Sequence, residues 1–140
     1  MTRAAISSKI ITAYKMANYR VCAPVPFVLN IGRSSEPLQR FYDENNCTII
    51  AFITVYRPFS ELTSNVENVA AQTRLQDELK ERFFLIIAGI GEDSANLWPG
   101  EPSVLILDIS QDEAKLIGIE FQQNAMVWTQ EDVTPQLAPL

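Results

Sequence analysis

Residues 48–55, Thr-Ile-Ile-Ala-Phe-Ile-Thr-Val, form an uncharged, unbroken run of strand length, far short of the ~20 residues a membrane span requires. A strand with no polar side must be covered on both of its faces. That requirement forces a layered fold, and the rest of the sequence supplies the layers as helical segments alternating with further apolar runs.

Ile6, Ile10, Ala13, Tyr14 and Ala17 recur at helical spacing, so residues 3–17 read as an amphipathic helix. Pro24 and Pro26 precede a short strand at 27–31, in the manner of an edge or bulged strand. Gly32-Arg33-Ser34-Ser35 reads as a turn. Ser34 or Ser35 is placed to cap a helix with Pro37 in its first turn, Leu38, Phe41 and Tyr42 facing inward, and Asn45-Asn46 at its end. Residues 62–81 make the longest helix, with one stripe through Leu62, Val66, Val69, Ala70 and Thr73 and another through Ala71, Leu75 and Leu79. Two stripes predict cover on two sides. Residues 83–88 and 103–107 are strands with no helix between them, hence antiparallel neighbours. Ser110-Gln111-Asp112-Glu113 is a capping box opening a fourth helix, 125–128 is the last strand, and 134–140 reads as a loose or draped tail. The expectation is one α/β domain over residues 1–140, a mixed sheet of about five strands flanked by about four helices.

Composition excludes more than it selects. The chain of 140 residues carries a net charge of −6 and has no basic run, which argues against nucleic acid as a partner. No stretch reads as a membrane span or an export signal, and Cys22 and Cys47 lack metal-ligand spacing. A cytoplasmic protein with reduced thiols is expected, with no membrane partner. Histidine is absent, so serine–histidine and cysteine–histidine nucleophile systems and histidine-bound zinc are excluded. A general base would have to be a carboxylate, lysine, tyrosine or terminal amine, and a metal would have to be a hard cation held by oxygens. No motif calls for a metal, and none names a cofactor.

The segment Trp98-Pro99-Gly100-Glu101-Pro102-Ser103 is the most site-like. Two prolines restrict the backbone around one carboxylate and remove two amide donors. Further polar residues stand at strand-end loops and helix starts: Arg57, Glu67-Asn68 and Gln123-Asn124. Each also has an ordinary role open to it. Arg57 suits an ion pair with Glu67 or Glu101 as well as an anion contact, Glu67 a capping box with Ser64, Glu101 the bracing of a loop, and Gln123-Asn124 the end of a helix.

Several blocks together resemble a known family. They are Ala13-Tyr14 and Tyr19, Ile31-Gly32 with Ser35, Phe52-Ile53-Thr54 with Pro58 and Ser60, Glu67-Asn68 with Leu75 and Leu79, the Trp98–Ser103 segment, and Phe121-Gln122-Gln123-Asn124-Ala125 with Val127-Trp128. The chain resembles a bacterial domain-of-unknown-function family, numbered 3293, over nearly its whole length. It departs from that pattern at Gln122, where a glycine is expected, and at Arg57, where an asparagine is expected. The resemblance implies a fold and a set of marked positions, not an activity.

The candidate ligand-binding set is therefore Arg57, Glu67, Asn68, Glu101, Ser103, Gln123 and Asn124, expected at loop ends on one side of the sheet. Two functions stay open. One is a module that binds a small polar ligand or a protein partner. The other is an enzyme, such as a hydrolase using Glu101 or Glu67 as base.

Overall fold

Serine caps start three of the helices. Ser35, Ser64 and Ser110 sit in extended backbone, and their hydroxyls accept the amides of Leu38, Glu67 and Glu113 at 3.1, 3.1 and 3.2 Å. The computed structural model describes residues 8–55, 64–94 and 100–140. Its elements run α1 (Ser8–Met16), β1 (Asn18–Val21), β2 (Phe27–Leu29), α2 (Glu36–Asn45), β3 (Ile50–Thr54), α3 (Asn65–Glu81), β4 (Ile86–Glu92), β5 (Glu101–Leu107), α4 (Gln111–Glu120), β6 (Ala125–Thr129) and β7 (Gln136–Pro139).

Among the described residues, the α/β class and the four helices match the sequence reading, but the sheet has seven strands rather than five, in the order β2-β1-β4-β5-β3-β6-β7. All described pairings are antiparallel, so the sheet is not mixed in its hydrogen bonding. The added strands are β1 and β7. The tail expected to be loose pairs with β6 from Ala125–Pro139 to Trp128–Gln136. Its Pro139 is tolerated because an edge strand need not donate every amide. The expected pairing of β4 with β5 is present.

Within the sheet, β3-α3-β4-β5-α4-β6 gives the spatial order β4-β5-β3-β6, the split βαβ arrangement of ferredoxin-like domains. Side-chain alternation divides the core in two. Ala51, Ile53, Val104, Ile106, Met126 and Trp128 face Leu75 and Leu79 of α3 and Ala114 and Ile117 of α4. Ile50, Phe52, Leu105, Leu107 and Val127 face the other way, toward Leu38, Phe41 and Tyr42 of α2 and the strands β1 and β2. The run at 48–55 is thus covered twice, as its composition demands. The two-stripe reading of the third helix is half right: Leu75 and Leu79 are fully buried, whereas Val66 is 78% and Val69 48% exposed.

Glycine 89 fixes how the α2 side packs. A Cβ there would lie 2.5 Å from Phe52 Cε2 and 3.0 Å from the Arg20 carbonyl oxygen. The missing side chain admits the Phe52 ring, which meets Tyr19 edge-to-face at 5.4 Å between centroids. Both cysteines are free thiols, Cys22 exposed and Cys47 buried. Burial pushes the Cys47 thiol up to about 11, which keeps it protonated and unreactive.

Two stability outcomes follow from this packing. Gly89→Ala should destabilise by ~2 kcal/mol in denaturant titration, because ring and backbone leave no room to yield; an unchanged midpoint would contradict the packing. On the opposite layer, Glu78 of α3 holds its proton above the usual carboxylate range, through burial and then the Glu120 carboxylate beside it, with Arg82 and Arg74 opposing. A raised folded pKa gives stability that is present at low pH and lost as pH rises through and above the ordinary carboxylate range. Glu78→Gln should therefore raise the melting midpoint at pH 7, by ~0.5 kcal/mol of stability, and match the parent near pH 4. A variant less stable at pH 7 than the parent would show that the Arg82 contact at 3.8 Å outweighs the repulsion.

Candidate functional site

Strand register assembles the site. Tyr19 lies opposite Gly91, and Gly91 opposite Glu101, so the three form one row across β1, β4 and β5. The next row runs Val21, Gly89, Ser103, Thr54. Residues directly opposite one another share a face. Neighbouring strands are ~4.8 Å apart, so Tyr19 and Glu101 stand ~10 Å from each other, and Gly91, the residue between them in the row, has no side chain.

Over that gap lies a cavity of about 340 Å³. Its floor is Phe52, Thr54, Ser103, Ala125 and Val127, and its roof is Ile10, Ala13, Tyr14 and Ala17 of α1 and the residue after it. Among the described residues, Lys9, Tyr19, Gly91, Glu101, Gln123, Met126 and Leu137 complete the wall. A cavity this size sits at the lower end of the range of small-molecule pockets. The roof residues are the apolar stripe read from the sequence, yet α1 itself buries none of its residues. Its stripe faces the cavity, with Ile10 and Tyr14 partly buried.

One hydrogen bond sets the height of the roof. The Tyr19 hydroxyl donates to the Tyr14 carbonyl at 2.6 Å, close to the last turn of α1. Burial, then Tyr14 and the charge of Glu101, push the Tyr19 phenol far above its ordinary range, so it remains a neutral donor. On the floor, the Ser103 hydroxyl donates to the Glu101 carbonyl at 2.9 Å, and the Thr54 hydroxyl to the Pro102 carbonyl at 3.4 Å. These bonds hold the first turns of β5, where Glu101 is half-buried and Ser103 fully buried.

Gln123 enters by a different route. The amides of Gln122 and Gln123 donate to the carbonyls of Ile119 and Gly118, a Schellman ending for α4 with Gln122 at φ 59°. Glycine is the residue favoured at that left-handed position, and Gln122 is the place where the sequence departs from the resembled pattern. The ending turns Gln123 inward, 3% exposed, with its side-chain amide donating to the Phe121 carbonyl at 3.4 Å.

Of the seven candidate residues, the cavity gathers Glu101, Ser103 and Gln123. Glu67 and Asn68 are not among its walls. They stand in the first turn of α3, the helix that packs on the other face of the sheet, Glu67 exposed and Asn68 buried. Asn124 is buried, and its carbonyl accepts the Leu140 amide at 3.0 Å, joining the C-terminal strand to the end of α4. Arg57 lies outside the described residues, as do Trp98 and Pro99. Sequence reading did not assign Tyr14, Tyr19, Phe52, Thr54 or Gly91 to a site. Two signals bore on them: the helical stripe of α1, which pointed only to a buried face, and the resembled blocks, which contain Tyr14, Tyr19, Phe52 and Thr54 but give them no role.

A family model for proteins of unknown function, DUF3293, matches residues 53–126, more than half of the chain. The chain belongs to the DUF3293 family. The matched span contains Thr54, Gly91, Glu101, Ser103 and Gln123, the polar side of the cavity and its gap, while the α1 roof and Tyr19 lie before it. No curated protein and no solved structure matches the chain. Among the described residues no helix is long and apolar enough to cross a membrane, and no group of three or more acidic or cysteine side chains is placed to hold a metal ion.

The Schellman ending can be tested alone. Gln122→Gly should stabilise the fold by ~0.5–1 kcal/mol, since glycine adopts the left-handed backbone without the Cβ penalty. Loss of stability in the melting curve would mean that the Gln122 side chain contributes more than the strain it imposes.

Proposed function

We propose that this protein is a binding module for a small organic molecule, seated between α1 and the sheet. The observation that carries the reading is the overhang of α1. Ile10, Ala13, Tyr14 and Ala17 point one apolar face at a 340 Å³ cavity, and no residue of the helix is buried. A ligand with an apolar body would complete that packing, and polar groups at one end would meet Glu101, Ser103 and Gln123. The hydrolase reading has less support. Of its two proposed bases only Glu101 lines the cavity, and the wall offers no cysteine or histidine as partner.

Gly91→Val tests the reading in the full-length chain. Among the described residues, a Cβ at Gly91 would make only ordinary contacts, 3.9 Å from Ser103 Oγ and 4.0 Å from the Glu101 carbonyl oxygen, so a branched side chain there would reach into the gap. The variant should melt at or slightly above the parent temperature. The parent should show a saturable thermal shift with 2-phenylethanol, a neutral aryl probe, because a ligand that binds only the folded state stabilises it. Gly91→Val should lose that shift. A well-folded Gly91→Val that binds the probe as the parent does would overturn the reading. So would a parent that responds to no neutral, cationic or anionic aryl probe.

A further inference from the structure

Resting on the reading of the cavity as a binding site, we propose that its ligand is an uncharged hydrogen-bond donor, an O–H or N–H group on a ring body, received by the lone pairs of Ser103 and Tyr19. Among the described residues, the sheet brings three hydroxyls to the wall, and all three protons are already committed. Tyr19 donates to the Tyr14 carbonyl at 2.6 Å, Ser103 to the Glu101 carbonyl at 2.9 Å and Thr54 to the Pro102 carbonyl at 3.4 Å. A carbonyl oxygen has no proton to give, so the direction of each bond is fixed.

What such a hydroxyl has left to offer a ligand is acceptance, through the lone pairs on its oxygen. Ser103 and Tyr19 are 1% and 7% exposed, so little solvent competes for them. The Ser103 oxygen borders the gap, 3.9 Å from the place a Gly91 Cβ would occupy. Glu101 acts in the same sense. An ionised carboxylate is an acceptor only, with about four lone-pair sites, so it adds acceptors to the wall whatever else it bonds. Tyr14 and Gln123 carry both kinds of group and do not tilt the balance. A ligand carbonyl or ether would set its lone pairs against those of the floor and lose its water without replacement. A ligand N–H or O–H would find its partner in place.

Charge gives no direction. The wall carries Lys9 and Glu101, one ammonium and one carboxylate, so a charged ligand of either sign meets a like charge as well as an opposite one. Burying a charge also carries a desolvation cost that an uncharged ligand avoids. The Lys9 ammonium is itself a donor, but Lys9 is exposed, and water competes for it there. The apolar remainder, Phe52, Ala125 and Val127 below and Ile10, Ala13 and Ala17 above, suits a ring. At ~30 Å³ for each water-sized unit, 340 Å³ holds about eleven such units, which admits one or two fused rings and little more.

The test is calorimetric titration of the full-length chain at pH 7 with three bicyclic probes of nearly one shape: indole, which donates, benzofuran, which only accepts, and indene, which does neither. Indole should bind at least about fivefold more tightly than benzofuran, and benzofuran no more tightly than indene. Desolvation disfavours the N–H, so such a preference needs an acceptor on the wall. The cation 2-aminoindane and the anion benzoate, both of similar size, should bind more weakly than indole. Ser103→Ala and Tyr19→Phe each remove one accepting oxygen. At least one of them should cut the indole advantage by about threefold, with benzofuran changed by less than about twofold. Should either variant fold poorly, the probe series on the parent chain still decides. Binding with no preference for indole over benzofuran would overturn the donor assignment and leave the cavity reading standing. So would an indole preference that survives both substitutions. Tighter binding of the amine or the acid than of indole would overturn the assignment of an uncharged ligand. No binding by any of the five would remove the cavity reading itself.

Discussion

The contact between Phe52 and the bare backbone of Gly89 is what the arrangement on the α1 side depends on. Phe52 can lie across β4 only because residue 89 has no side chain; a Cβ there would overlap the ring and approach the Arg20 carbonyl. With Phe52 down, Tyr19 packs on its edge, and the tyrosine hydroxyl reaches the Tyr14 carbonyl at 2.6 Å. That bond holds the end of α1 above the sheet rather than upon it. One strand interior thus carries two glycines with opposite uses. The first is filled by a neighbouring ring, and the second, Gly91, is the open space. Glycine weakens a strand by losing a packed side chain, and here the long pairing of β4 with β5 offsets it, over Ile86–Ile106 to Gly91–Glu101.

The elements that the sequence displays clearly are those whose local chemistry is strong. Each serine cap, the Asn46 ending of α2 at φ 52° and the continuous apolar strand β3 rest on short-range rules and recur in the structure. β1 and β7 escape such reading because neither has enough residues to show a period. Asn18–Val21 follows directly on a helix, and Gln136–Pro139 carries the marks of a tail. Both are strands because a partner is waiting, β4 for one and β6 for the other. The start of β4 illustrates the same limit. Phe83 and Phe84 look like strand residues, but their amides close the Schellman ending of α3 on the carbonyls of Lys80 and Leu79, with Phe83 at φ 63° and 93% exposed. An aromatic residue in the left-handed position has no sequence signature that separates it from the strand it precedes.

The site is legible to a lesser degree. Glu101, Ser103 and Gln123 stand out as polar groups in constrained turns, and a constraint of that kind is local. What joins them is register, which puts Glu101 in one row with Gly91 and Tyr19, and register between strands far apart in sequence is set by the whole sheet. Glu67 and Asn68, grouped with Glu101 by their shared position near strand ends, do not line the cavity. A βαβ crossover carries its helix to one face, and α3 is carried to the face opposite the cavity.

The coupling between roof and floor decides how such a cavity can be tolerated. Among the described contacts, α1 is attached through the Tyr14 carbonyl, the following Ala17 and the start of β1, and contributes no buried residue of its own. The sheet beneath it is different. Phe52, Ser103 and Val127 are almost wholly buried and shared with the main core, so the floor keeps its shape whether or not the roof moves. In the binding reading proposed above, a molecule filling the space would add contacts to α1 while leaving the sheet as it is.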